Sequence, residues 1–246
     1  MNTEIQLDAE KIISTVGRLE LRVEDRFSDS TLKKTVGQLV ELSRKSKANI
    51  EWIGSPNIPL RVLSAILIAI GLFGLIYSIT YIDFKIEDTA LSNVVTLSEA
   101  IFNDLVLIGA AIFFLVSIES RVKRGRALKS LNELRVIAHV IDMLQLTKDP
   151  NHILNGGQDT ANSPKRNLSK FELLRYLDYC SEATALIAKV AALYSQSLPD
   201  EIVVRSVNEI EVLSTGLSRK IWQKIMILNS VSDGLKRIED QESENA

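Results

Sequence analysis

The chain has 246 residues, 46% of them hydrophobic, and a formal net charge of −2. That balance gives no general basic field and excludes nucleic acid as an expected partner. One cysteine, Cys180, and two histidines, His139 and His152, exclude an intrachain disulfide, a thiolate zinc cluster and a histidine-rich metal site, and suit a reducing compartment.

The opening stretch, MNTEIQLDAEK, carries acids where a secretory signal needs positive charge followed by an apolar run. Ile12, Ile13, Val16, Leu19 and Val23 recur near helical spacing between Asp8 and Asp25. A second stripe follows the FSDST turn signal at Leu32, Val36, Leu39, Val40 and Leu42. The spacing predicts two amphipathic cytoplasmic helices within residues 1–58, each needing a partner surface. Gly54, Pro56 and Pro59 break the chain after them.

Residues 62–82 read VLSAILIAIGLFGLIYSITYI without a charge. As a helix the stretch reaches roughly 30 Å, the thickness of a bilayer's hydrocarbon core, and predicts a first membrane span. Tyr77 and Tyr81 stand near its far end, where amphipathic rings favour the interface. The second apolar run, LVLIGAAIFFLVSI from Leu105 to Ile118, is short by itself. Extended to 100–120 it is long enough, but takes in Asn103 and Asp104. Asp104 is read either as an interfacial acid near the headgroups or as a carboxylate in a pore or hairpin contact. Gly71, Gly74 and Ser78 in the first span and Gly109 in the second are small enough to let helix backbones approach closely in lipid.

Arg44, Lys45, Lys47 and Arg61 precede the first span, and Arg121, Lys123, Arg124, Arg126 and Lys129 follow the second. The connector carries Asp83, Glu87, Asp88, Glu99 and Asp104 against a single Lys85. The positive-inside rule therefore predicts a hairpin over 59–120 with both termini cytoplasmic. Arg121, Lys123, Arg124 and Arg126 are also candidate contacts for anionic lipid headgroups, although such a run serves equally to fix topology.

After the second span the helix is expected to run on to Leu146, with an apolar stripe at Leu128, Leu131, Leu134, Ile137, Ile141 and Leu144. Gly, Pro, Asn and Asp over 148–168 predict a long loop. Ser169 and Glu172 stand at capping-box spacing, flanked by Leu168 and Leu173 as a hydrophobic staple, and predict a helix start. Pro199 suits the first turn of a last helix, whose stripe is Ile210, Leu213, Leu217, Ile221, Ile225 and Leu228 and within which Gly216 is a possible bend. An acidic tail, 241–246, is expected to fray. The fold class is thus all-α: a two-helix transmembrane hairpin with a cytoplasmic helical bundle over 121–240. The N-terminal pair either joins that bundle or serves self-association.

Chemistry is sparse. GGQDT lacks a phosphate-loop lysine, and neither a G-x-S-x-G elbow nor an H-E-x-x-H motif occurs. Arg135, His139 and Asp142, at i, i+4 and i+7, form the most site-like cluster, with Asp178, Tyr179, Cys180 and Glu182 on a later helix as candidate neighbours. A hydrogen-bonded polar layer in a bundle produces the same pattern. Trp222 lies among Arg219, Lys220, Gln223 and Lys224, as a core residue with a basic edge or as an anchor for a partner helix or a membrane surface.

Three stretches carry a resemblance: LRVIAHVIDMLQLTKDP from Leu134, FELLRYLDYCSEATALIAKVAALY from Phe171, and LSRKIWQKIMIL from Leu217. They resemble a family of bacterial two-span membrane proteins with no assigned activity. The resemblance implies a bacterial inner membrane and this architecture. In architecture alone the chain is similar to two-transmembrane effectors of bacterial nucleotide-signalled defence systems, which are thought to perforate membranes. The expected function is a non-enzymatic inner-membrane scaffold or accessory protein, homo-oligomeric or bound to a cytoplasmic protein partner, without catalytic, metal or cofactor residues. An oligomeric pore is the alternative, and an enzyme using His139 and Asp142 comes third.

Overall fold

Helices form along the apolar stripes, and no strand occurs among the described residues. The structure, a computed structural model, describes residues 6–81, 91–150, 160–163 and 167–244, and within these not the side chains at 75, 78–81, 91–101, 104 and 231–244. In order the helices are α1 (Ala9–Phe27), α2 (Thr31–Gly54), α3 (Ile58–Tyr81), α4 (Leu91–Leu146), α5 (Lys170–Ser197) and α6 (Glu201–Glu244). They divide between a larger unit, Met1–Gly54 with Arg126–Ala246, and a smaller one, Ser55–Gly125.

In the larger unit each helix has a chemical reason to start where it does. Asp8 caps α1 by accepting from the amides of Glu10 at 2.9 Å and Lys11 at 3.2 Å. Ser30 ends the FSDS turn, and its hydroxyl accepts from the Lys33 amide at 3.1 Å to open α2. The capping box at α5 is formed as its spacing predicts, with Ser169 and Glu172 exchanging side-chain-to-backbone bonds. Those bonds hold the Glu172 carboxyl below the usual carboxylate range. At α6 the cap is Asp200, which accepts from Ile202 at 3.1 Å and Val203 at 3.3 Å. Pro199 therefore lies outside the helix instead of in its first turn. The same helix passes Gly216 without a break and continues to Glu244, beyond the expected start of the frayed tail.

One hydrophobic cluster unites the larger unit. Ile12, Val16, Leu19 and Val23 from α1 meet Leu32, Val36 and Leu39 from α2, Leu131, Leu134 and Ile141 from α4, Leu177, Ile187 and Tyr194 from α5, and Ile210, Ile221 and Leu228 from α6. The N-terminal pair thus belongs to the same core as the C-terminal helices. Several buried polar groups are hydrogen-bonded within the core. Ser43 donates to the Leu39 carbonyl at 2.7 Å, and Asn49 donates to Ser130 at 2.9 Å. The hydroxyls of Ser46, Tyr194 and Ser214 are buried without a hydrogen-bond partner among the described residues.

In the smaller unit the start of α3 meets the middle of α4, with the two chains running in opposite directions where they touch. Arg61 pairs with Glu119, and three residues further along α3 Ser64 donates to the Leu115 carbonyl at 3.5 Å. The two helices that hold these runs are long and apolar enough to cross a membrane, and neither apolar stretch is buried. Ile66, Ile70, Phe73, Leu107, Phe113 and Val116 all stand exposed.

Candidate functional site

The polar chemistry of the smaller unit gathers at the base of the paired helices. Pro56 and Asn57 prevent α2 from running straight into α3, which leaves the Ser55 carbonyl and the Asn57 amide outside helical bonding. Glu119 accepts from the Asn57 amide at 3.0 Å, from Arg61 Nε at 2.6 Å, and from Lys123 Nζ at 2.9 Å. Lys123 also donates to the Ser55 carbonyl at 2.7 Å. One carboxylate and two cations therefore tie the α2–α3 connection to α4. The side chains of Glu119 and Lys123 are only 15% and 11% exposed, so water screens this pair little.

This arrangement divides the four candidate headgroup contacts. Lys123 is turned inward, because one helical turn separates it from Glu119, and its charge is spent inside the unit. Arg121 is exposed, its guanidinium 5.6 Å from the Phe114 ring. Arg124 is half-buried. Arg126, in the larger unit, is exposed and stacks 4.4 Å over Trp52.

A Cβ built at Gly71, Gly74 or Gly109 meets nothing within 4 Å among the described residues. Ser78 and Asp104 lie in α3 and α4, but their side chains fall outside the described residues, as does the connector over 82–90.

The larger unit does not assemble the predicted polar cluster. Arg135 reaches across to Glu209 on α6 at 2.6 Å. Asp142 accepts from Gln145, one turn on, at 2.8 Å. His139 is exposed and makes no hydrogen bond among the described residues. On α5, Asp178 pairs with Arg175 at 3.1 Å, Glu182 pairs with Arg22, and Cys180 is buried in the core. Burial pushes the Cys180 thiol up to about 12, and raises the Tyr176 phenol as well. Lys224 donates to the backbone and side-chain oxygens of Gln145 at 2.6 and 2.7 Å, satisfying the carboxy-terminal end of α4. Desolvation lowers its pKa, partly opposed by Asp149 and Asp142. The described residues contain no group of three or more His, Cys, Asp or Glu side chains able to hold a metal ion.

Two features have no signature in any one segment of the sequence. Glu119 and Lys123 stand at i, i+4, a recognisable helix pair, but nothing local announces that Ser55, Asn57 and Arg61 complete it. The other is an open groove of about 540 Å³ on the larger unit, formed by Arg22 and Arg26 of α1, Phe171, Arg175 and Tyr179 of α5, and Trp222 of α6. Its members come from three helices, so no spacing rule finds them. Trp222, one of its walls, is 54% exposed instead of filling the core.

The fold defines an all-helical protein with two helices apolar enough to span a membrane. No protein family, curated protein or solved structure matches the chain.

Proposed function

We propose that the chain is a two-span protein of a bacterial inner membrane, with both termini and the larger unit in the cytoplasm, and that it acts as a non-enzymatic scaffold whose helical bundle binds a second copy or a protein partner. One observation carries the membrane reading: α3 and the apolar part of α4 expose their hydrophobic side chains all along their most apolar stretches. A soluble protein would bury such helices, because exposed apolar surface of this extent costs on the order of 25 cal/mol per Å² in water. In a bilayer the same surface is solvated by lipid. The excess of basic residues at the base, against the acidic connector, gives the orientation. No described residue crowds Gly71, Gly74 or Gly109, and small residues of this kind favour helix association in lipid.

The test is cysteine accessibility in intact cells, since native Cys180 is buried. A membrane-impermeant maleimide should label Thr89→Cys in the connector and spare Asn2→Cys until the membrane is opened. Labelling of both without permeabilisation, or release of the protein by alkaline carbonate, would defeat the proposal. The pore alternative rests on the same glycine positions together with Asp104. Liposomes that leak ions with the native protein and seal with Asp104→Asn would replace the scaffold reading with it.

A further inference from the structure

A second open groove, of about 570 Å³, runs along the hairpin of α5 and α6 and is floored by small side chains: Ala185, Ala188 and Ala192 on one wall, Ser214 and Thr215 on the other. We propose that a second copy of this chain docks there about a two-fold axis, with α5 of each copy against α6 of the other, an inference that rests on the scaffold reading and assigns its self-association to one surface. Small side chains let a facing helix approach closely. Ser214 is 2% exposed, and its hydroxyl has no hydrogen-bond partner among the described residues. A buried hydroxyl left without a bond costs stability. It turns about a single torsion, so a polar group brought by the facing helix can supply the missing bond. At the margin Leu7 is 44% exposed, and its amide is tied to α5 by the Gln196 side chain at 2.8 Å, so an apolar contact is held in place there.

Charge selects a second copy as the occupant. Two charged side chains line the groove, Lys189 on α5 and Glu211 on α6. Lys189 is exposed and donates to the Ala185 carbonyl of its own helix at 3.4 Å, and Glu211 is half-buried. Neither makes an ion pair among the described residues. Because α5 ends at Ser197 and α6 begins at Glu201, the two helices run antiparallel, and a 2.9 Å hydrogen bond between the Thr184 and Ser218 hydroxyls fixes their register. Five residues along α5 from Thr184, and five back along α6 from Ser218, Lys189 stands level with Leu213. Glu211 is two residues further, an axial offset of about 3 Å. A two-fold axis along the groove exchanges the walls and preserves the level, so Lys189 of each copy faces Glu211 of the other. Opposite charges on opposite walls at one level suit such an isologous contact. A partner of uniform charge sign would leave one of the two unmatched.

Charge reversal tests the geometry. The full-length native chain, Lys189→Glu and Glu211→Lys are compared by sedimentation equilibrium in density-matched detergent micelles. Neither substitution removes an ion pair within the chain, and circular dichroism checks that each variant is folded. In either variant alone the two symmetric contacts set like charges against each other, so the dissociation constant should rise roughly tenfold or more. An equal mixture of the two variants should associate about as tightly as the native chain, because one copy is then acidic at both positions and the other basic at both. Added salt should shrink these differences. Native-like association of either variant by itself, or a mixture no tighter than the variants apart, would overturn the proposal. Extraction of the native chain by alkaline carbonate is measured in parallel. If the chain stays in the membrane and both variants associate as it does, the groove assignment alone fails and self-association lies elsewhere. If the native chain is monomeric at roughly 100 µM, the groove assignment falls together with the second-copy form of the scaffold reading. Release by carbonate defeats the scaffold reading itself.

Discussion

Lys123→Met removes the cation beneath Glu119 while keeping most of the apolar stem in place. The native ammonium lies 2.9 Å from Glu119 and 2.7 Å from the Ser55 carbonyl, at 11% side-chain exposure. Breaking a buried pair costs about 3–5 kcal/mol when the remaining charge is left alone. Here Arg61 still faces Glu119, but its side chain is 62% exposed and screened, so the expected loss is roughly 2–3 kcal/mol. Glu119→Gln leaves a poorly solvated ammonium with neutral acceptors only, the Gln amide oxygen and the Ser55 carbonyl, and should cost about as much. The double variant has no stranded charge. Its loss should fall short of the sum of the single losses by roughly 1–2 kcal/mol. Denaturant unfolding in mixed micelles, followed by circular dichroism, measures the four corners of this cycle; the single variants should also melt roughly 5–10 °C lower. Additive losses within about 0.5 kcal/mol would refute the clasp as a coupled unit, and a single-variant loss below that size would refute its burial.

Four further outcomes follow from the larger unit. Ser169→Ala removes half of the capping box on α5 and should cost about 1 kcal/mol in denaturant unfolding, with Ser169→Gly costing less. Cys180 should react with a thiol reagent only through unfolding, since the group is buried and its thiol is pushed up to about 12; labelling in native buffer should track the unfolded fraction, and fast stoichiometric labelling would contradict the packing. Because that folded value exceeds the ordinary 9.0, the stability Cys180 contributes is complete below pH 9 and is lost as the pH climbs toward 12, so Cys180→Ala should flatten the alkaline loss. Lys224 has the opposite sign. Its folded pKa lies below 10.5, so its contribution is present above pH 10.5 and is lost as the pH falls through the depressed value; the native chain should gain stability as the pH rises from that value to 10.5, and Lys224→Gln should lack this rise.

The legible parts of this fold were those written in one segment. Periodicity located the stripes of α1, α2 and α6, and Ser169 with Glu172 located the start of α5, because capping chemistry acts over three residues. Uninterrupted apolarity located the candidate spans. Pairing across helices was not legible. Arg135, His139 and Asp142 looked like a cluster because helical spacing places His139 and Asp142 on one side, yet Glu209 draws Arg135 away and Gln145 takes Asp142. The choice depends on which charges α6 brings alongside, and no local rule contains that. Lys123 was grouped with its basic neighbours for the same reason: composition counts charges, and only packing shows that Glu119 has already claimed this one. The groove arginines were invisible because α1 and α5 stand far apart in sequence.

The core of the larger unit is discontinuous in the chain, with one part before Ser55 and the rest after Gly125. On the ribosome, α1 and α2 therefore emerge with their apolar faces uncovered, and the whole smaller unit must be made before their partners exist. At roughly 5–20 residues per second that interval lasts seconds. During it Leu19, Val23, Leu32 and Leu39 have only each other for cover, and a newly made N-terminal pair is the stage at which this protein is most open to chaperones, to proteases and to the same segment on a neighbouring nascent chain.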